Sequence, residues 1–92
     1  MHKSILVDCL DWCYVCGRPR QAIHHVFYGT ANRKISDKEG FIVPLCNDCN
    51  TGPHGVHFNR ELDLELKRLC EKKYLENHRL AEFMDLIGRN YL

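Results

Sequence analysis

Two Cys-x₂-Cys pairs constrain this chain more than any other feature: Cys13 with Cys16, and Cys46 with Cys49. Each pair can point two thiols at one centre from a short turn, and four thiolates suit tetrahedral Zn²⁺. At 92 residues the chain is one domain's worth, with a core small enough to need a staple. The segment MHKSILVDCLDWC carries Asp8 and Asp11 and does not read as a signal peptide. No stretch approaches the roughly 18 apolar residues of a membrane span. An intracellular, cytoplasmic chain is expected, and there paired cysteines read as metal ligands rather than disulfides. One structural Zn²⁺ on Cys13, Cys16, Cys46 and Cys49 follows. Such a site contributes on the order of 10 kcal/mol to a small module, so the metal-free chain is expected to be unfolded or molten.

The 29 residues between Cys16 and Cys46 exceed the spacing of a short zinc ribbon. Ala22 to Tyr28 is rich in β-formers and ends at Gly29, which predicts a strand. Thr30 to Gly40 is polar and reads as a loop. Phe41 to Leu45 predicts a second strand, which Pro44 confines to an edge. Asn47 to Asn50 can start a helix that Gly52-Pro53 stops almost at once. Asn59 reads as the N-cap of a longer helix whose Leu62, Leu66, Leu69 and Lys73 share one face. A last helix is predicted from Asn77 to Ile87, with Leu80, Phe83, Met84 and Ile87 together and Gly88 at its end. Cys70 and Cys9 read as small packing residues, and Trp12 and Tyr91 as core or rim. The expected fold class is α+β, a single domain over residues 1–92: a zinc-pinned β-hairpin and short helix, then two packed C-terminal helices.

Four of the six histidines stand at positions 24, 25, 54 and 57. Neighbours on a regular strand point to opposite faces, but at a strand end one can hold a metal while the other meets substrate. Asn50 directly follows the fourth cysteine, and His54 and His57 come from the turn beyond. Asn, His and water are suitable ligands for a divalent ion that keeps open positions. Net charge is only +1, yet residues 18–38 hold Arg18, Arg20, Arg33, Lys34 and Lys38 against the single acid Asp37. That pattern suits a nucleic-acid face.

The order Cys13-x₂-Cys16, His24-His25, then Pro44-Leu-Cys46-x₂-Cys49-Asn50 resembles the HNH nucleases, the ββα-metal or His-Me finger family. It looks most like the zinc-containing phage resolvases of the endonuclease VII type, and Gly52 to Phe58 is similar to small phage HNH-type recombination proteins. The match covers about residues 13–58, leaving 59–92 as a helical extension. The resemblance implies that His25 is the general base and that His24 and Asn50 hold a catalytic divalent metal. His54 or His57 would complete that metal site, with His54 slightly favoured by its spacing from Asn50. Mg²⁺ or Mn²⁺ is the implied metal, with Ni²⁺ or Zn²⁺ as further candidates. Two departures stand out. Phe41 occupies the place where the family commonly has an Asn that orients the base, with Asn32 a candidate substitute, and Gly52-Pro53 interrupts the helix between Asn50 and His54.

The expected function is metal-dependent hydrolysis of DNA phosphodiester bonds, leaving 5′-phosphates and of phage derivation. Arg18, Arg20, Arg33 and Lys34 would contact the DNA backbone, which positions without reading sequence. No base-reading helix is visible, so low sequence specificity is expected, with DNA structure recognised instead. The alternatives are a catalytically inactive module of the same descent that binds DNA, or one that binds a protein partner. Phe41 favours these; the His24-His25 pair and Asn50 favour the enzyme.

Overall fold

A computed structural model describes residues 3–92. The elements are β1 (Ala22–His25), α1 (Thr30–Glu39), β2 (Ile42–Leu45), α2 (Asn47–Thr51), a 3₁₀ turn (Val56–Phe58), α3 (Arg60–Leu75) and α4 (Leu80–Ile87). The fold is a small α+β arrangement built on one two-stranded antiparallel hairpin. The strands pair Ala22 with Leu45, Ile23 with Pro44, His24 with Val43 and His25 with Ile42. Pro44 lacks an N–H, which a two-stranded sheet tolerates because every strand is an edge. Its carbonyl accepts from the Tyr14 N–H at 2.8 Å, so the first cysteine turn is tied to the far edge of β2. Among the described residues no helix is long and apolar enough to cross a membrane.

The hairpin is shorter than its β-rich sequence suggests, because the chain bends away after His25. The segment expected to be a loop, Thr30 to Gly40, is the ten-residue helix α1. It has little apolar surface, and its start at Gly29 has no side-chain cap. A polar residue docks it instead. Buried Ser36 donates its hydroxyl to the Phe27 carbonyl at 2.7 Å and accepts from the Phe27 N–H at 3.2 Å. The helix stops where Gly40 adopts a left-handed φ of 79° and returns its N–H to the Ser36 carbonyl.

The core gathers Val26, Phe27, Phe41, Val43 and Leu45 from the hairpin region against Leu66, Cys70 and Tyr74 of α3 and Phe83 of α4. Phe27, Phe41, Tyr74 and Phe83 form an aromatic cluster with ring centroids 5.4–6.3 Å apart. Asn59 caps α3, its Oδ1 accepting from the Leu62 N–H at 3.1 Å. The buried stripe of α3 runs Leu62, Leu66, Cys70, Tyr74, four residues apart. Leu69 lies beside it and Lys73 is exposed, so the expected 62–66–69–73 face is rotated by part of a turn. In α4 only Phe83 is fully buried; Leu80 and Met84 are exposed. Cys70 is a packing residue, but Cys9 is exposed and donates to Asp11 at 3.4 Å. Trp12 lies on the rim, and Tyr91 packs on Phe27.

Ser36 satisfies both backbone polar groups of Phe27 inside the core. Ser36→Ala should therefore cost about 1–3 kcal/mol, the penalty for orphaned buried groups. Urea denaturation monitored by circular dichroism measures this. A loss below ~0.5 kcal/mol would mean that α1 is held by other contacts.

Candidate functional site

The four cysteines converge. The Sγ atoms of Cys13, Cys16, Cys46 and Cys49 all lie within 4.8 Å of one another. Cys16 and Cys46 sulfurs are 3.6 Å apart, near the roughly 3.8 Å edge of a tetrahedron with metal–sulfur bonds of about 2.3 Å. The first turn is closed by Cys13 N–H to Arg18 O at 2.6 Å and Gly17 N–H to Cys13 O at 3.0 Å, with Gly17 at a φ of 77°. The second pair stands on α2: Cys46 is its N-cap residue and Cys49 lies within it. Burial works to raise the Cys13 thiol, but backbone amides of Cys16, Cys46 and Val15 outweigh it and hold the group down at about 6. Burial and then the Cys46, Cys13 and Cys16 thiols push Cys49 strongly up. Four sulfurs at this separation cannot all ionise without a cation among them. The donor set is positioned to hold a metal ion and is consistent with structural zinc.

A second constellation lies next to this cluster, because Asn50 directly follows Cys49. A cavity of about 310 Å³ is lined by Ile23, His24, His25, Tyr28, Arg33, Asn50 and His57. His24 is only 3% exposed. Its Nε2 and the Asn50 Oδ1 are buried with no hydrogen-bond partner. Native proteins rarely leave such atoms orphaned, since each costs about 1–3 kcal/mol. Burial lowers the His24 imidazole to about 4, with His57 adding in the same direction, so at neutral pH it is uncharged. Two unpartnered polar atoms lining one cavity leave a place for a polar ligand, and His24, Asn50 and a nearby imidazole are donor types that suit a divalent ion. The imidazole lining this cavity is His57, with its ring centroid 5.2 Å from His24. His54 is exposed and does not line it.

Close packing brings His57 to Asn50. The 3₁₀ turn begins at Gly55, where an added Cβ would stand 2.7 Å from the Asn50 carbonyl oxygen. Gly52 lies as tightly on α2, its would-be Cβ 2.5 Å from the Asp48 carbonyl oxygen. These glycines let the chain fold back on the five-residue helix that Gly52-Pro53 ends.

His25 is the last residue of β1, which lets it line the same cavity as His24. Its Nε2 is 2.8 Å from Asp37 Oδ1 on α1. Asp37 is a functional candidate that the sequence did not single out, hidden because its helix read as a loop. Phe41, at the position where the HNH pattern commonly has Asn, is fully buried in the aromatic core. A second cavity on the far side of His25 is lined by Gly29, Thr30, Arg33, Lys34 and Asp37. Arg33 and Lys34 thus stand beside His25. Arg18 instead pairs with Asp48 at 3.2 Å, linking the two cysteine turns, and Arg20 lines neither cavity.

No family model matches this chain, and no solved structure matches it. A mitochondrial DNA mismatch repair protein, a mutS homolog of Sarcophyton glaucum, is 29% identical over 70 residues, which cover 72% of this chain and 7% of that protein. The chain therefore spans a small fraction of that relative's length.

Cys46→Ser should remove the bound metal and collapse the fold, whereas His25→Ala should leave the melting temperature within a few degrees of the parent. Metal content and thermal denaturation of both variants decide this, and equal losses would make His25 structural. Gly55→Ala should cost about 1–3 kcal/mol through overpacking and, if His24, Asn50 and His57 hold a divalent ion, loosen that binding. Isothermal titration with Mn²⁺ reads the second effect; unchanged affinity would mean the turn does not set that site.

Proposed function

We propose that this chain is a metal-dependent DNA endonuclease of the HNH type, with Zn²⁺ on the four cysteines as its structural staple. The observation that carries the reading is the His25–Asp37 pair beside a cavity where His24 and Asn50 present buried polar atoms without partners. The similarity to a protein named for DNA mismatch repair supports DNA as the substrate.

His25 would act as general base. Its Nε2, donating to Asp37, fixes the tautomer in which Nδ1 carries the free lone pair, and imidazole has the basicity to accept a proton near pH 7. Nδ1 would take a proton from water as the water oxygen bonds to phosphorus and the bond from phosphorus to the 3′ oxygen breaks. The products are a 5′-phosphate and a 3′-hydroxyl. His24, Asn50 and His57 would hold a divalent ion, Mg²⁺ or Mn²⁺, which when bound supplies positive charge at the phosphate and the departing oxygen. Asp37 supplies the orientation that an Asn gives in related sequences. Arg33 and Lys34 would hold the phosphate backbone by charge, without reading bases.

A supercoiled-plasmid nicking assay with Mg²⁺, Mn²⁺ or Ni²⁺ tests the reading. The parent chain should nick, and His25→Ala should lose about 10²–10⁴-fold in rate while retaining its zinc and its DNA affinity. Asp37→Ala should lose roughly tenfold to a hundredfold, the range for partners that orient a functional histidine. Asn50→Ala should lose cleavage and keep one tightly bound zinc. DNA binding without cleavage under all three metals would instead make this a non-catalytic DNA-binding module.

A further inference from the structure

We propose that the cleft formed by Tyr28, His57 and Phe58 binds a single unpaired nucleobase of the DNA substrate, next to the phosphate to be cut; this rests on the endonuclease reading above. The cleft is a cavity of about 250 Å³ lined by Tyr28, Val56, His57, Phe58, Arg60 and Asp63. Tyr28 and His57 also line the cavity of His24 and Asn50, so the two cavities are neighbours that share these side chains. Three rings and one guanidinium bordering a cleft make a surface suited to a flat π-system with a phosphate attached.

Phe58 is the element that no other role explains. Its side chain is 71% exposed, the highest among the large apolar residues described. An apolar ring held in water gains by stacking, and its backbone is tied down. The Phe58 N–H donates to the Gly55 carbonyl at 2.9 Å and the Asn59 N–H to the Val56 carbonyl at 3.4 Å. Val56 is buried on one side and Asn59 caps α3 on the other. The backbone that presents the ring is therefore anchored on both sides.

The opposite wall is equally fixed. Lys67 Nζ sits 4.5 Å from the Tyr28 ring centroid and pairs with Asp63 at 2.7 Å, both side chains being largely buried. Tyr28 and His57 rings lie 5.7 Å apart. Arg60 at the rim can meet the phosphate of the bound nucleotide, while Asp63 offers an acceptor for an exocyclic amine. A base in a fully paired duplex is stacked and cannot enter. A bulged or unpaired base has already lost its partner, so its entry costs least. The cleft thus selects DNA that is locally opened rather than any sequence.

The test compares two labelled duplexes by fluorescence anisotropy without added Mg²⁺ or Mn²⁺: one fully paired, one with a single bulged 2-aminopurine. The parent chain should bind the bulged duplex at least about tenfold more tightly and quench the 2-aminopurine signal. Phe58→Ala should bring the bulged duplex down to the affinity of the paired one, and Phe58→Trp should restore both preference and quenching. Replacing Arg33 and Lys34 by Ala should weaken both duplexes alike. If a preference for the bulge survives Phe58→Ala, or the parent shows none, the cleft proposal is wrong while the endonuclease reading stands. If the parent binds neither duplex, both fall together.

Discussion

The join between the hairpin and the helix that carries Asn50 is made at the four-cysteine cluster. Cys46 and Cys49 belong to the start of α2, so whatever fixes their sulfurs fixes that five-residue helix. Isolated helices of this length do not persist in water. Asn50 is the next residue, and its orientation is inherited from the cluster. Cys13 and Cys16 reach the same point from a turn hydrogen-bonded to the outer edge of β2. The cluster thereby joins the hairpin, which carries His24 and His25, to the helix that carries Asn50. Beside the cluster, the Asn47 N–H donates to Gln21 Oε1 at 2.9 Å. The Arg18–Asp48 pair that spans them is solvent-exposed and contributes little.

The second support is polar rather than apolar. Helix α1 has few large hydrophobic residues, yet it carries three side chains that border the site: Arg33, Lys34 and Asp37. Ser36 anchors it by closing both hydrogen-bonding groups of Phe27. Asp37 is the next residue, so the same anchor sets the height of the carboxylate that meets His25. The helix can afford an exposed, basic outer face because a buried hydroxyl fixes its inner one.

These two supports explain what could be read from the sequence. The cysteine pairs, the edge proline, the short α2 and the Asn59 cap are local rules with local causes, and each left a clear mark. Helix α1 left none, because its docking residue is a serine and its start has no capping side chain; only Gly40 at its end was a usable sign. Asp37 was missed for the same reason. His57 rather than His54 lines the cavity because of Gly52 and Gly55, whose close approach to α2 depends on three-dimensional packing and not on spacing along a helix. The stripe of α3 was shifted for a related reason: Cys70 and Tyr74 are less obviously apolar than Leu69, but they face the aromatic cluster.

Phe41 ties the site to the core. A family Asn at that position would have to point toward the base, where it could orient the imidazole. Here the position serves packing, its ring meeting Phe27, Tyr74 and Phe83. On the proposed reading the acceptor that orients His25 is Asp37 of α1, across the hairpin connection. Such an exchange is physically reasonable only because His25 ends its strand, where the ring has room to turn toward α1 while still lining the cavity that His24 enters from within the strand. Phe41 strengthens the core, and Asp37 is on the surface, where a carboxylate costs little to keep charged. On the proposed reading, catalytic geometry and core packing are then carried by different residues, so either can change without forcing a change in the other.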